Sequence, residues 1–297
     1  MLTNIGTLQL KNPVLTASGT FGYGLEYQNY FDISCLGGIC TKGLSLFPKK
    51  GNPPPRICEA PSGMLNAIGL ENIGVDEFCK DKLPKLNNIK ATIIVNAYAT
   101  SINDFVEIAK KLNSYDIAAI EINISCPNVD KGGLAFGIDA NAAAEITSAV
   151  KVVSKHPIWI KLSPEAGDIT KIALACQEAG ADALCAINTI RGLAIDINTR
   201  KFKLANKTGG LSGAAIKPIA LRMVWEIAKV VKIPIIGIGG ICNADDAIEF
   251  ILAGASAIQV GSISFQNPVA AKCIVDGIRN YCKKNNTHIK DLIGKAA

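Results

Sequence analysis

The sequence predicts a closed parallel barrel of eight β/α units, and three observations favour that fold. Short apolar runs rich in Val, Ile and Ala recur eight times along the 297 residues, at intervals that suit a strand followed by a helix. One helix-to-strand joint, Ala-Gly-Ala, occurs at 179–181 and again at 253–255. Two long connections follow the carboxyl ends of predicted strands, where barrels build their sites. We treat residues 1–297 as one domain.

The eight predicted strands carry the β-branched and small apolar residues that suit buried parallel strands. They cover residues 14–17, 38–41, 92–96, 119–124, 158–161, 183–187, 235–238 and 257–260. Eight is the strand count of the α/β TIM barrel. An open Rossmann-like sheet uses the same units, but no G-x-G-x-x-G follows the first predicted strand.

Helical patterns lie between these strands, and residues 168–179 form the clearest one. This segment begins at Asp168, repeats apolar residues on one face at helical spacing, and stops at Gly180. Residues 244–253 repeat the pattern and end at Gly254. Such alternation favours β/α units over a fold in which strands and helices are segregated.

The two long connections are residues 44–76 and residues 192–213. The first contains three successive prolines at 53–55 and little periodicity, while the second carries an alternating segment, 194–204, that predicts a small hairpin. Since loops on the carboxyl face of a barrel build the active site, we expect extra loops and a hairpin to cover a pocket there.

Composition excludes several classes of protein. The chain is 49% hydrophobic with a net charge of +6, but its lysines are spread out rather than clustered as a nucleic-acid surface requires. No apolar run approaches the roughly 18–20 residues that span a bilayer, and the N-terminus has no secretory pattern. The ten cysteines include no C-x-x-C pair. We expect reduced thiols, no metal site, no membrane contact and a cytoplasmic location.

The segment I-N-I-S-C-P-N at 122–128 predicts a thiol at the tip of a strand. Pro127 stops regular structure, so Cys126 follows the strand among side chains that hydrogen-bond without charge. A buried core cysteine before a turn is the simpler interpretation.

Two lysines, Lys42 and Lys161, end other predicted strands. A lysine there can neutralise a carboxylate, stabilise a reduced flavin or form a Schiff base.

Further ligand-binding features lie at the same end of the predicted barrel. Glycine-rich turns at 237–241 and 260–262 follow the seventh and eighth strands, where barrels often hold a phosphate. Amide side chains recur after other strands and in the first long connection, and they suit a flat heterocycle with alternating C=O and N–H groups. They are Asn66, Asn96, Asn123, Asn128 and Asn188, the last followed by Thr189.

These motifs, in this order, resemble the class 1 dihydroorotate dehydrogenases, which are FMN enzymes of pyrimidine synthesis. The motifs are T-K-G-L-S, N-P-P-P-R, N-A-I-G-L-E-N, I-N-I-S-C-P-N, K-L-S-P, I-N-T, G-G-L-S-G, G-I-G-G-I and V-G-S. Class 2 members use serine as the base and carry an N-terminal extension, so Cys126 and the bare start favour class 1. N-A-I-G-L-E-N is more like the NAD-linked type B than the fumarate-linked type A.

The resemblance implies two sets of binding residues. The FMN contacts would be Ser18, Lys42, Gly43, Asn96, Asn123, Lys161, Ile187, Gly213, Gly239, Gly240, Gly261 and Ser262. Dihydroorotate or orotate would be held by Lys42, Asn66, Ala67, Ile68, Gly69, Leu70, Asn123, Asn128, Asn188 and Thr189.

The resemblance also implies a mechanism and a partner. Cys126 as thiolate would remove the C5 proton of dihydroorotate while the C6 hydride passes to N5 of FMN. Lys161 would stabilise negative charge on the reduced flavin, Lys42 would help to hold the substrate carboxylate, and residues 131–137 would form a lid. Type B enzymes work as a heterotetramer, in which a homodimer core binds subunits that carry FAD and a [2Fe-2S] cluster and pass electrons to NAD.

Three other functions would use some of the same residues. A flavin domain of dihydropyrimidine catabolism resembles this sequence and also uses a cysteine, but it would oxidise dihydrouracil or dihydrothymine. A non-catalytic binding barrel could keep the pocket, although Cys126 and both lysines argue against it. A Schiff-base aldolase acting through Lys161 would be trapped by borohydride.

Overall fold

The computed structural model describes residues 1–125 and 136–296 and contains a closed barrel of eight parallel strands. The barrel strands, in chain order, are β1 (Val14–Thr16), β2 (Gly38–Cys40), β3 (Ile93–Ala97), β4 (Ala119–Asn123), β5 (Ile158–Lys161), β6 (Ala183–Ala186), β7 (Ile235–Ile238) and β8 (Ala257–Val260). Each strand pairs with its neighbours in the chain, and β8 pairs with β1 to close the ring. All eight predicted strands and the TIM barrel are confirmed.

Helices surround the barrel and pack their apolar faces on the strands. Those of nine residues or more are Ile102–Leu112, Ala140–Val153, Ile169–Glu178, Lys217–Ala228, Ala244–Leu252 and Ala270–Lys284. Shorter helical segments are Leu25–Tyr27, Ile33–Cys35, Val75–Glu77, Phe78–Lys82, Leu83–Asn88, Ala214–Ile216, Ser262–Phe265 and Ile289–Leu292. Within the described residues, no helix combines the length and the apolar character needed to cross a membrane.

The two helices that the sequence predicts most clearly begin at side-chain caps. Asp168 accepts a hydrogen bond from the backbone N–H of Thr170, and Ile169–Glu178 follows it. Asn243 and Asp246 form a reciprocal capping box at the start of Ala244–Leu252. Both predicted helices are therefore confirmed, and each begins where a side-chain oxygen satisfies a backbone N–H that has no partner within the helix.

The inside of the barrel changes from apolar to polar along the strands. A hairpin of Thr3–Ile5 and Leu8–Leu10 closes the amino-terminal end, where its apolar side chains pack with interior residues such as Trp159 and Ile236. One step further along β4 and β5, the interior residues are Glu121 and Lys161, both buried. The carboxyl end of the barrel is therefore the end built for polar ligands.

A four-stranded antiparallel sheet, here called the cap sheet, covers that end. Its strands, in spatial order, are Ile190–Leu193, Thr208–Ser212, Gly63–Asn66 and Ile57–Ala60. The hairpin predicted within 194–204 is present, as Ile195–Asp196 paired with Lys201–Phe202. The hairpin Ile57–Asn66 was not predicted, because its strands have only four residues each and mostly half-exposed side chains that give no clean alternation.

Candidate active site

A cavity of about 520 Å³ lies between the carboxyl ends of the barrel strands and the cap sheet. Every described residue for which the resemblance implies ligand contact lines this cavity. These residues are Ser18, Lys42, Gly43, Asn66, Ala67, Ile68, Gly69, Leu70, Asn96, Asn123, Lys161, Ile187, Asn188, Thr189, Gly213, Gly239, Gly240, Gly261 and Ser262. Cys126, Asn128 and residues 131–135 of the expected lid lie outside the described residues, so their roles stay predictions.

The two strand-end lysines occupy different environments in the cavity wall. Lys161 is the last residue of β5 and only 4% exposed, whereas Lys42, just beyond β2, is half-buried. The Nζ atom of Lys161 lies 3.6 Å from Oε1 of Glu121. Burial opposes the charged form of Lys161, but the carboxylate outweighs that effect and holds the pKa of the lysine above its usual range. The cavity therefore contains one fixed ammonium group on its barrel side.

A chain of hydrogen bonds fixes the amide side chains at the end of β4 and just after β6. Asn123 Oδ1 accepts from the Ser125 hydroxyl at 2.6 Å, and that hydroxyl accepts in turn from Nδ2 of Asn188. The backbone N–H of Thr189 donates to Asn188 Oδ1 at 2.7 Å. These contacts set which face of each amide can meet a ligand. Ser125 is a member of the site that sequence reasoning left out, although it lies inside I-N-I-S-C-P-N.

Asn96 presents an acceptor that no described residue pairs with. Its Nδ2 donates to Glu121 Oε1 at 2.6 Å, and a carboxylate can only accept, so Oδ1 must point elsewhere. Oδ1 is buried and has no hydrogen-bond partner among the described residues. A Cβ added to Gly43 would lie 2.8 Å from it. The glycine therefore keeps space in the wall where a ligand N–H could reach Asn96.

The two glycine-rich turns follow β7 and β8. Gly239 and Gly240 have φ values of 132° and 71°, which only glycine adopts without strain. A Cβ on Gly240 would lie 2.7 Å from the backbone nitrogen of Lys217, so this turn packs directly on the helix Lys217–Ala228. Gly261 precedes the single helical turn that starts at Ser262. Backbone N–H groups in such turns bind anions well.

The cap sheet and the segments beside it place one predicted amide and add charged groups that the sequence analysis did not assign. Asn66 Nδ2 donates to the carbonyl of Gly210 at 3.3 Å, which ties the two halves of the cap sheet together. Arg56 pairs with Glu71 at 2.6 Å, and this hydrogen bond lowers the pKa of the Glu71 carboxyl. Arg56 ends the motif N-P-P-P-R, and Glu71 lies within N-A-I-G-L-E-N. Their place in these motifs could have identified both as site residues. Glu165 also lines the wall.

Glu121 is the most informative residue that the sequence reasoning missed. It is completely buried inside the barrel and contacts both Lys161 and Asn96. The signal was present, since a glutamate stands in the middle of an otherwise apolar strand, A-I-E-I-N. Such a residue has to be explained by a partner or a function.

The chain is similar to one family of known proteins over nearly its whole length. The family described as "Dihydroorotate dehydrogenase" matches residues 1–281. A protein of Geotalea daltonii named "Dihydroorotate dehydrogenase B (NAD(+)), catalytic subunit" is 54% identical over 292 residues, which cover 98% of this chain and 96% of that protein. A protein of the same name from Bacteroides thetaiotaomicron is 52% identical over 293 residues, with 98% and 97% covered.

Proposed function

The chain belongs to the dihydroorotate dehydrogenase family, and from that premise we propose that it oxidises (S)-dihydroorotate to orotate in pyrimidine synthesis, as the catalytic subunit of an NAD-linked enzyme. One observation supports this most directly. The residues that would bind cofactor and substrate come from distant parts of the sequence, and all the described ones line one cavity beneath the cap sheet. Pockets with a few convergent polar groups are the usual place for such chemistry.

We propose FMN as the cofactor, because the residues of the cavity wall suit both its flavin ring and its phosphate. Oδ1 of Asn96, which has no partner among the described residues, offers an acceptor to a ring N–H, and Lys161 offers a cation in the same wall. The turns at Gly239–Gly240 and Gly261–Ser262 offer backbone N–H groups to a phosphate. When bound, FMN supplies the acceptor for the substrate hydride.

The substrate would be held by the amides and by Lys42. Dihydroorotate carries a carboxylate and a ring of alternating C=O and N–H groups. The half-buried ammonium of Lys42 suits the carboxylate, and the carboxamides of Asn66, Asn123 and Asn188 can each donate and accept toward the ring. Because Ser125 fixes Asn123 and Asn188, these two amides are oriented before the substrate arrives.

Cys126 is our proposed base, and it would take the C5 proton as a thiolate. It directly follows Ser125, whose hydroxyl is hydrogen-bonded to both fixed amides. An ordinary thiol has a pKa of about 8.5, so exclusion of water from the covered cavity would have to strengthen the base during the reaction. We further propose that the lid at 131–137 provides that cover.

Electrons would leave through a partner subunit. The relatives are named as catalytic subunits, which implies a second chain. We propose that this chain carries FAD and a [2Fe-2S] cluster, that it binds a homodimer core to form a heterotetramer, and that the assembly works in the cytoplasm. The nine described cysteines are all free thiols, which is consistent with a reducing compartment.

The decisive experiment is anaerobic mixing of the FMN-loaded protein with dihydroorotate. We expect the flavin absorbance to bleach, and dihydrouracil under the same conditions to leave it unchanged. Adding NAD or fumarate, with and without an iron–sulfur flavoprotein subunit, then identifies the acceptor. Bleaching by dihydrouracil alone, or a protein that stays colourless in FMN, would contradict the proposal.

A substitution tests the base. Cys126→Ala should bind FMN normally and bleach at least about 100-fold more slowly, because general base catalysis contributes that much or more. Cys126→Ser is the matched variant, since it replaces the thiol by a hydroxyl of similar size that is a far weaker acid, and it should also bleach slowly. Bleaching of Cys126→Ala at the wild-type rate would exclude this role.

A further inference from the structure

A buried carboxylate lies inside the barrel without a place in the mechanism above. Glu121 is 0% exposed, and in the described part of the chain its two oxygens contact side chains inside the barrel. Oε1 accepts from Asn96 Nδ2 at 2.6 Å and from the Cys40 thiol at 3.3 Å, while Oε2 accepts from Gln259 Nε2 at 2.6 Å. Lys161 supplies the opposite charge, 3.6 Å from Oε1.

Fold stability alone does not account for this pair. A buried ion pair contributes little to stability, because loss of water from both charges offsets their attraction. The layer just below it is filled by Trp159, Ile94 and Ile236, which shows that apolar side chains fill the same barrel. Glu121 is therefore better explained by what it does to Lys161.

The groups that face Lys161 identify Glu121 as its counter-ion. On the strands around the lysine, the titratable groups in the described part of the chain are Glu121 of β4, Cys40 of β2 and Cys185 of β6. Burial raises the pKa of both thiols well above the ordinary value, so they stay neutral. Asn96 and Gln259 carry no charge. Glu121 supplies the negative charge that keeps the buried ammonium ionised.

We propose that Glu121 is a positioning residue that keeps Lys161 charged and in place at the barrel side of the cavity, so that the ammonium is already there when FMN gains electrons. This inference rests on the proposed FMN binding. It does not make Glu121 a catalytic residue, because Glu121 is absent from the cavity lining and acts through Lys161 and Asn96.

Glu121 would therefore set how many protons are taken up when FMN is reduced. Above neutral pH, two-electron reduction of FMN to its anion takes up one proton, and a lysine that is already charged adds none. In Glu121→Gln the buried lysine loses the one carboxylate that faces it among the described residues, and buried lysines without a counter-ion lose their proton near neutral pH. Reduction would then draw a second proton onto Lys161, whose charge balances the new anion.

The test is the midpoint potential of bound FMN measured against pH, from pH 7.5 to 9.5, read as protons taken up per two electrons. We expect one proton for the wild type and two for Glu121→Gln. We also expect Glu121→Gln to bind oxidised FMN at least tenfold more weakly, because a hydrogen bond from a charged donor is lost. Glu165→Gln is the control, since it removes an exposed carboxylate from the wall of the same cavity. Its FMN should still take up one proton per two electrons.

One proton in both the wild type and Glu121→Gln would overturn the proposal. Should Glu121→Gln fail to fold, Glu121→Asp keeps the charge on a shorter side chain, and it should keep one proton while binding FMN more weakly. The wild type is a test on its own, because uptake of two protons there would show that Lys161 is not permanently charged. A wild-type protein that does not bind FMN would contradict the proposed function instead.

Discussion

Gly240 in the turn after β7 allows a quantitative prediction. Substitution by alanine places a side chain at φ 71° and brings its Cβ to 2.7 Å from the backbone nitrogen of Lys217 and 2.8 Å from the carbonyl oxygen of Gly213. The left-handed conformation costs about 1–2 kcal/mol. Contacts this close to backbone atoms add roughly 1–3 kcal/mol, because either the helix that begins at Lys217 or the turn at Gly240 must shift. We expect Gly240→Ala to lower the free energy of unfolding by about 2–5 kcal/mol in total.

Gly294 separates the two contributions. It has φ 70°, and a Cβ there meets no atom within 4 Å, so Gly294→Ala should cost only about 1–2 kcal/mol. Urea unfolding of the FMN-free variants measures both values, and fluorescence titration with FMN measures affinity. Gly240→Ala should bind FMN at least tenfold more weakly, whereas Gly294→Ala should match the wild type. Equal stability losses, or unchanged FMN affinity in Gly240→Ala, would refute the reasoning.

Three further predictions concern the rest of the structure. Trp159→Ala should cost about 3–5 kcal/mol in unfolding experiments, and Trp159→Phe much less, since the Nε1 donor has no partner in the described part of the chain. Asn243→Ala should cost about 1 kcal/mol through the lost helix cap, whereas Asn243→Asp should keep it. In mass spectrometry at pH 8, iodoacetamide should modify exposed Cys273 before Cys176, because burial raises the pKa of Cys176 to about 12; equal labelling would contradict this.

The barrel could be predicted because its signals are local. Each buried parallel strand is a short apolar run, and the joints at Gly180 and Gly254 mark where helices end. The turn after β7 was predictable for the same reason, since Gly239 and Gly240 stand where the backbone takes positive φ values. These features depend on a few adjacent residues, so no knowledge of distant contacts was required.

The cap sheet and the Glu121 network could not be predicted in this way. Asn66 and Gly210 pair across 144 residues, and no periodicity in either segment encodes that pairing. Glu121, Gln259 and Cys40 likewise come from separate strands and meet only after the barrel closes. The charges and hydrogen bonds inside the barrel therefore depend on the register of the strands and on closure of the barrel. Local sequence patterns specify neither.

The long separation across the cap sheet also has a consequence for biosynthesis. Strands that pair across so many residues form late, because a large loop must close before the contact stabilises it. On the ribosome, the strand Gly63–Asn66 must wait for Thr208–Ser212, and β7 and β8 emerge later still. We therefore expect the nascent chain to form most of its barrel before it can retain a nucleotide. The cap sheet that covers the cavity is among the last parts to assemble, so the cofactor would bind to a barrel that is nearly complete.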